Sequence, residues 1–340
     1  MRTADFDYHL PPEMIAQRPA DPRDSSRLLI LDRKRETLSH HIFRDLPNFL
    51  SPGDALVLNE TRVLPARLRG HKIPTGGHVE LLLLNRRSSR TWEALVGGKG
   101  LVVGRKISLS KEVKAEILED LGGGRRVVRF NKSISPILNE MGEMPLPPYI
   151  NTPLKDPNEY QTVFARRPGS AAAPTAGLHF TPEVLRAIET KGVAIVKITL
   201  HVGLDTFLPV NEEDPGEHPI HREWCQIAPQ AVEVINNARS KGARIVAVGT
   251  TTVRTLETAA RLTKPDHEVA PFEGATDLYI LPGFQFHAVD AMITNFHLPR
   301  STLLMMVSAF AGRDRVLKAY DVAMKEGYRF YSFGDAMLIL

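Results

Sequence analysis

Histidine, threonine and asparagine recur in four short stretches between positions 174 and 302, and these residue types suit proton transfer and anion binding. The stretches read Pro174-Thr-Ala-Gly-Leu-His-Phe180, Thr199-Leu-His-Val-Gly203, Val248-Gly-Thr-Thr-Thr-Val-Arg254 and Thr294-Asn-Phe-His-Leu-Pro299. His179, His201 and His297 supply imidazoles, whose ordinary pKa of about 6.5 makes them the commonest general acids and bases at neutral pH. One such histidine alone reads as readily as a hydrogen-bonded structural residue. Three in equivalent positions favour at least one catalytic member. Phe180 and Phe296 adjoin two of them and are candidates either to stack on a purine base or to fill the core.

The clearest anion site is Gly249-Thr-Thr-Thr-Val-Arg-Thr-Leu-Glu257. An apolar strand runs through Gly249 into Thr250 and Thr251, which open a helix. Free N–H groups and the helix dipole favour a phosphate or carboxylate there, and Arg254 could add a bidentate contact. The competing reading has a threonine capping the helix and Arg254 on the surface. Neither GxGxxG nor GxxxxGK[ST] occurs, so a dinucleotide fold or P-loop is not indicated. His218-Pro-Ile-His-Arg-Glu-Trp-Cys225 gathers nitrogen, carboxylate and sulfur donors. It lacks the second cysteine of a standard zinc pattern, so it reads as a substrate-contacting loop that uses His221 and Glu223. Glu60, Arg62, Asn295 and Asp335 are further polar groups at strand ends, where turn formation and capping explain them equally well.

The elements that must hold these residues follow from periodicity. Three of the four stretches end apolar, β-branched runs, and the first is entered from Ala171–Ala173. Small polar residues at strand ends are how open α/β sheets build a crevice at their carboxyl edge. Asp54–Asn59 has the same design, with Glu60-Thr-Arg62 as its polar stop. Thr181-Pro-Glu183 is a helix start, Gly192 a stop, Val193–Leu200 a strand, Pro229–Lys241 a helix and Ala243–Val248 a strand. Residues 63–150 differ, with short strands separated by Gly76-Gly77, Gly97-Gly98 and Gly122–Gly124, as in a small β-barrel or sandwich. The expected division is 1–62, 63–150 and 151–340: an α/β domain interrupted by an all-β insert. Met144-Pro-Leu-Pro-Pro-Tyr-Ile150 closes the insert with a rigid, extended path.

The chain has 340 residues, a net charge of +4 and one cysteine. A disulfide framework within the chain is thereby excluded, and no apolar run is long enough for a membrane span. Neither a signal peptide nor a membrane partner is expected, and the cytoplasm is the expected compartment. Charge is unevenly spread. Residues 63–150 hold fifteen Lys plus Arg against eight Asp plus Glu, and the remainder 28 against 31. The insert is therefore a candidate surface for a polyanion such as RNA.

Longer blocks resemble one known family. Asp5-Phe-Asp-Tyr8, Ile15-Ala-Gln17, Asn59-Glu-Thr-Arg-Val-Leu-Pro-Ala-Arg-Leu68 and Tyr160-Gln-Thr-Val-Phe164 carry the resemblance in the N-terminal half. Ala173–Phe180, Thr199–Gly203, Thr294-Asn-Phe-His-Leu-Pro-Arg-Ser-Thr-Leu-Leu304 and Tyr328-Arg-Phe-Tyr-Ser-Phe-Gly-Asp-Ala-Met337 carry it in the C-terminal half. The sequence is similar, end to end, to the S-adenosylmethionine:tRNA ribosyltransferase-isomerases of queuosine biosynthesis. The resemblance implies a three-layer α/β sandwich with a β-barrel insert. It also implies S-adenosylmethionine as co-substrate, no metal, and a tRNA with a GUN anticodon carrying 7-aminomethyl-7-deazaguanine. Substrate contacts are then expected from Arg62, Thr175, Gly177, Phe180, Gly203 and Thr206, from His221, Glu223, Gly249, Thr250 and Thr251, and from Arg254, Asn295, Ser301 and Thr302. His179 or His201 would be the base or proton shuttle, with His297 and Asn295 beside the adenine, and a monomer is expected. Two departures stand out: Asp205 replaces the family's second glycine after His-Val-Gly, and Glu93-Ala-Leu-Val-Gly-Gly-Lys99 lacks the proline usual before Gly-Lys. A non-catalytic RNA-binding protein and a metal-dependent hydrolase using His218, His221 and Cys225 are the competing classes.

Overall fold

The computed structural model describes residues 1–203, 210–220, 222–263 and 268–340; Asp205, Thr206 and His221 lie outside these. The strands in chain order are β1 (Arg27–Asp32), β2 (Thr37–Ile42), β3 (Ala55–Asn59), β4 (Thr61–Val63), β5 (Arg67–Ile73), β6 (His78–Arg86), β7 (Thr91–Gly97), β8 (Lys106–Ser108), β9 (Lys114–Gly122) and β10 (Arg125–Phe130). There follow β11 (Arg167–Ser170), β12 (Ala194–Leu200), β13 (Glu223–Ile227), β14 (Ile245–Val248), β15 (Phe272–Thr276), β16 (Ala291–Asn295) and β17 (Ala336–Ile339). The helices are α1 (Leu138–Met141), α2 (Pro182–Thr190), α3 (Pro229–Ser240), α4 (Thr250–Ala260), α5 (Thr302–Ala311) and α6 (Arg313–Lys325).

The chain forms two units. The first comprises Met1–Arg62, Pro148–Arg167 and Ala173–Leu340; the second comprises Val63–Pro147 and Pro168–Ala172. Pro168–Ala172 thus groups with the insert, whereas the sequence division placed it in the α/β part. The first unit is built on a nine-stranded mixed sheet in the order β15-β13-β12-β3-β14-β16-β17-β1-β2. β3, β14, β16 and β17 are buried along their whole length, so each face of the sheet's centre must be covered. Along β3, Ala55 and Val57 join the core that includes Ile235 and Val253 of α3 and α4, while Leu56 and Leu58 join the one that includes Val184 and Ile188 of α2. β1 divides the same way, with Leu29 and Leu31 on one side and Leu28 and Ile30 on the other. Helix, sheet and helix are the three layers.

Direction decides where chemistry can sit. β12, β3, β14 and β16 run parallel, while β17 runs against β16 and with β1. Four carboxyl ends and the amino ends of β17 and β1 therefore share one edge. Local sequence stops each element on cue. The Thr181 hydroxyl accepts from Val184 N at 3.3 Å to open α2, and the Ser301 hydroxyl accepts from Leu304 N at 3.1 Å to open α5. Gly249, with φ +86°, makes the strand-to-helix turn between β14 and α4, a conformation strained for any residue with a Cβ.

The second unit holds a closed antiparallel barrel in the order β10-β7-β6-β5-β8-β9. Leu68, Leu81, Ala94, Ile107, Ile117 and Val128 fill it from alternating positions, as the period-two patterning requires.

Candidate active site

Asn59, the last residue of β3, ties the end of β12, the start of β4 and the first turn of α4 together. Its Oδ1 accepts from Leu200 N at 3.0 Å and Thr61 N at 3.2 Å; its Nδ2 donates to Leu200 O at 3.0 Å and Thr251 Oγ1 at 3.2 Å. All of its amide valences are used inside the protein, which fixes β12 and the first turn of α4 against β3. The next residue of β12's exit is His201. Its Nδ1 is hydrogen-bonded to the Thr61 hydroxyl at 2.8 Å, and its ring stacks on Trp224 with centroids 5.0 Å apart and planes 20° apart. Among the described residues nothing pairs with its Nε2. Burial, reinforced by the Arg167 charge, holds this imidazole down at about 4, so it is neutral at physiological pH.

A second amide hub stands at the end of β16. Asn295 Oδ1 accepts from the Thr175 hydroxyl at 2.9 Å, and its Nδ2 donates to Tyr331 O and to His179 Nε2, both at 3.2 Å. Because Tyr331 O can only accept, the orientation of the Asn295 amide is settled. His179 Nε2 must then accept, so its Nδ1 carries the proton and donates to Ser26 Oγ at 2.8 Å. The ring also stacks on Phe43 at 5.0 Å. Burial chiefly, then Arg329 and Arg23, lowers its pKa to about 3. His179 was expected as a base or proton shuttle. Both its nitrogens are taken and the ring is buried, so it orients Asn295 instead.

The first stretch also differs from its expected form. Thr175–Gly177 is one turn of 3-10 helix rather than a strand ending, and it lies against the edge through Thr175. At Gly177 a Cβ would come within 2.8 Å of Phe164 Cζ and 2.9 Å of Thr162 Cγ2. Close packing, not a ligand, accounts for that glycine. Phe180 is fully buried, edge-on to Phe43 and Phe164. Phe296 is equally buried among Tyr320, Tyr328 and Phe330. Both rings belong to the core, and Phe296 also borders the small cavity beside Asn295.

At α4 the threonines look inward. Thr252 Oγ1 donates to Val248 O at 2.7 Å and Thr255 Oγ1 to Thr251 O at 3.0 Å, while Gly249 as N-cap provides no side chain to close the helix. Gly249 N is bonded to Ile293 O at 2.8 Å and Thr252 N to Gly249 O at 3.1 Å, which leaves the N–H groups of Thr250 and Thr251 without a hydrogen-bond partner among the described residues. Arg254 is not available to a ligand as expected. It pairs with Glu223 and donates through Nε to Leu278 O at 3.0 Å. Glu223 Oε1 in turn accepts from Gly203 N at 2.7 Å. This buried ion pair braces the backbone that leaves β12 two residues beyond His201. Glu223 opens β13, and Cys225 lies within it opposite Gly274, so the segment after Arg222 is strand and not the loop anticipated from its polar residues. Arg62 is exposed on β4.

A cavity of about 30 Å3 opens beside Asn295, lined by Thr175, His297, Ser301, Tyr331, Ser332 and Tyr149 among others. Binding sites for nucleoside-sized ligands are typically about 300 Å3 or more, so this cavity must widen to admit one. His297 faces it, with Nε2 bonded to Thr294 Oγ1 at 2.6 Å and a pKa lowered to about 3 by burial. Ser301 is held as the cap of α5, and Thr302 is that helix's first residue. Tyr149, Tyr331 and Ser332 were not anticipated as site residues. Tyr149 OH and Ser332 Oγ are 2.7 Å apart, and Tyr331 adopts φ +69°, a conformation that side chains hold only where the surroundings enforce it. The aromatic-polar run Tyr328–Asp335 was the available signal. Asp335 itself is structural: it accepts from Arg27 N at 2.9 Å and Arg329 N at 2.8 Å.

Among the described residues no three His, Cys, Asp or Glu side chains are grouped to hold an ion. His218 Nδ1 is bonded to Glu212 Oε2 at 2.7 Å, and burial pushes the Cys225 thiol up to about 11.

Known proteins are similar to this chain along its whole length. A family model described as queuosine biosynthesis protein matches residues 3–339. An S-adenosylmethionine:tRNA ribosyltransferase-isomerase of Moorella thermoacetica is 53% identical over 345 residues, covering all of both chains. One of the same name from Desulfitobacterium hafniense is 52% identical over 344 residues with equal coverage. The crystal structure of an S-adenosylmethionine tRNA ribosyltransferase from Thermotoga maritima aligns with a TM-score of 0.58 at 41% identity, over 99% of this chain and 100% of the other.

Proposed function

The chain belongs to the queuosine biosynthesis protein family, and from that membership we propose that it transfers and isomerises the ribosyl part of S-adenosylmethionine onto tRNA. The acceptor is the aminomethyl group of 7-aminomethyl-7-deazaguanine at the wobble position of a GUN anticodon. The products are epoxyqueuosine-tRNA, adenine and methionine. The observation that carries this reading is identity above half along the whole chain with enzymes of that name.

The chemistry sets requirements that this sheet edge suits. The sulfonium acidifies the ribose C5′ hydrogens, and a base removes one to give an ylide. Adenine then leaves as the sugar opens, the amine attacks, and epoxide closure expels methionine. His201 is the best-suited base. It is neutral at pH 7, its Nε2 has no partner among the described residues, and the Thr61 hydroxyl can accept from Nδ1–H, the tautomer in which Nε2 takes up a proton. The first turn of α4, at Gly249–Thr251, suits the methionine carboxylate. Asn295, oriented by His179 and Thr175, lines the adenine pocket with His297, Tyr331 and Ser301. The basic second unit takes part in holding the tRNA. The protein acts as a monomer in the cytoplasm, where its tRNA substrate resides.

The test is adenine release in a single turnover with modified tRNA saturating. His201→Gln should slow it by about 10²–10⁴-fold while His179→Gln acts mainly on stability. A wild-type rate in His201→Gln would remove the base assignment, and no adenine release by the wild type would remove the activity.

A further inference from the structure

The fifteen cations of the second unit are not equivalent once their partners are known. Six are tied to carboxylates of the same unit: Arg67 to Glu80, Arg69 to Glu143, Arg87 to Glu93 and Glu119, Arg126 to Asp120, Arg129 to Glu116 and Lys132 to Glu112. Seven of its eight acids are used up in this way.

The barrel has two ends. At one the chain enters on Arg67 and leaves on Phe130. The other is closed by the links 74–77, 98–105 and 123–124, because β5, β7 and β9 finish there and β6, β8 and β10 begin there. Lys72, Lys99, Arg105 and Lys106 all lie at this second end, and none has a carboxylate within ion-pair distance among the described residues. Lys106 stands opposite Glu116 in register, but that carboxylate is held by Arg129 at 3.0 Å. Lys72 Nζ donates to Lys99 O at 2.9 Å, which keeps two of the four cations together. The Gly98–Arg105 link between them also carries Val102 and Val103, which are 61% and 56% exposed. Gly100 and Gly104 have positive φ, and a Cβ added at either would meet no heavy atom within 4 Å, so the link stands open to solvent.

We propose that this end of the barrel is an RNA-docking surface. Lys72, Lys99, Arg105 and Lys106 neutralise backbone phosphates, and Val102 with Val103 packs on the ribose or base of an unpaired nucleotide. The charge is uncompensated, as phosphate binding requires. An apolar pair is too little for a protein interface, which typically covers about 800 Å2 per partner and excludes charge from its centre. Sequence-specific RNA contacts concentrate on unpaired nucleotides whose faces are open. The inference rests on the tRNA reading above and adds where on the second unit the RNA is held.

The experiment uses the full chain and an unmodified transcript of a tRNA with a GUN anticodon. A triple variant, Lys72→Glu with Lys99→Glu and Lys106→Glu, is compared with an equal charge change at the other end, Arg90→Glu with Lys111→Glu and Lys114→Glu. The first should weaken binding at least ten-fold more than the second and reduce the slope of log K against log salt by about 2–3, at 0.7–0.9 per lost phosphate contact. The exposed single variant Lys99→Glu gives the same direction should the triple fold poorly. Val102→Ser with Val103→Ser should weaken binding a few-fold with the slope unchanged. Adenine release at saturating modified tRNA should keep its wild-type kcat in every one of these variants, with only KM for tRNA raised. Equal losses at both barrel ends, an unchanged slope, or cosedimentation of the wild type with phosphatidylserine vesicles that the triple variant abolishes while retaining tRNA would each overturn the docking surface. Wild-type protein that binds no tRNA at low salt would overturn the functional reading with it.

Discussion

The sheet edge of the first unit and the barrel end that carries the links 74–77, 98–105 and 123–124 treat polar groups in opposite ways. At the edge, Asn59 and Asn295 spend their amide groups on the segments around them, and beside that network His201 Nε2 has no partner among the described residues. At the barrel end, cations stand without counter-ions. A reacting atom needs a group held in one geometry, and that takes a saturated network behind it. A polyanion with a mobile backbone needs charge in the right region and tolerates side-chain freedom. Saturation at one place and surplus at the other is the physical signature of positioning versus capture.

The largest way to break this comparison is at the leftover atom. His201→Gln removes the open imidazole nitrogen and should slow single-turnover adenine release by about 10²–10⁴-fold with little change in tRNA affinity. A variant that instead lost tRNA affinity and kept its chemical rate would show that the edge captures rather than positions.

Next in size is the brace beneath it. Glu223→Gln leaves the Arg254 guanidinium buried without its counter-ion and weakens the hold on Gly203 N. Breaking a buried pair typically costs about 3–5 kcal/mol, and denaturant unfolding should register it. Replacing both together, Glu223→Gln with Arg254→Met, should recover part of that loss, since the stranded charge is then gone. No recovery would mean that the ion pair is not what holds this segment.

Much of this was legible in the sequence, and the reasons are specific. β3, β12 and β14 showed themselves as apolar runs because both their faces are buried, and their polar stops marked the edge where their carboxyl ends converge. Periodicity also separated the Gly-punctuated barrel from the α/β part. What could not be read was which polar group is satisfied by which. His179 and His201 look alike in sequence, yet only the fold brings Ser26 and Asn295 to both nitrogens of the first and a single hydroxyl to the second. Arg254 looked like a ligand clamp because Glu223, thirty-one positions away, is placed beside it only by the pairing of β13 with its neighbours. Asn59 read only as the last residue of its strand for the same reason, and Ser332 could be singled out only through the aromatic-polar run Tyr328–Asp335 that holds it.

Acid distinguishes the edge from an ordinary surface. His179 and His297 are buried and neutral, with pKa values near 3, and His201 lies near 4. Each folded value is below the ordinary 6.5, so the unfolded chain binds protons first as pH drops. The stability these residues carry is complete above about 6.5 and is lost progressively below it, down towards their folded pKa values, at up to about 1.4 kcal/mol per pH unit for each fully buried group. Thermal unfolding followed from pH 7 to 5 should show a falling midpoint. His179→Gln, which cannot be protonated, should flatten that fall even if its midpoint at pH 7 is lower. An equally steep fall would place the acid sensitivity elsewhere.

The smallest effect probes the saturated network one bond back from the chemistry. Thr61 touches no substrate in this scheme; its hydroxyl bonds His201 Nδ1 at 2.8 Å and its backbone N is held by Asn59 Oδ1. Thr61→Val keeps the volume and removes the hydroxyl, so His201 can turn or exchange tautomers while staying stacked on Trp224. The expected loss in single-turnover rate is about five-fold, in line with one neutral hydrogen bond of about 1 kcal/mol, with KM for S-adenosylmethionine nearly unchanged. Thr61→Ser restores the hydroxyl and should restore most of the rate, which a role in packing alone would not produce. A Thr61→Val enzyme that keeps its rate and loses S-adenosylmethionine affinity would make Thr61 a binding residue, and the edge would then be shaped by capture as much as the barrel is.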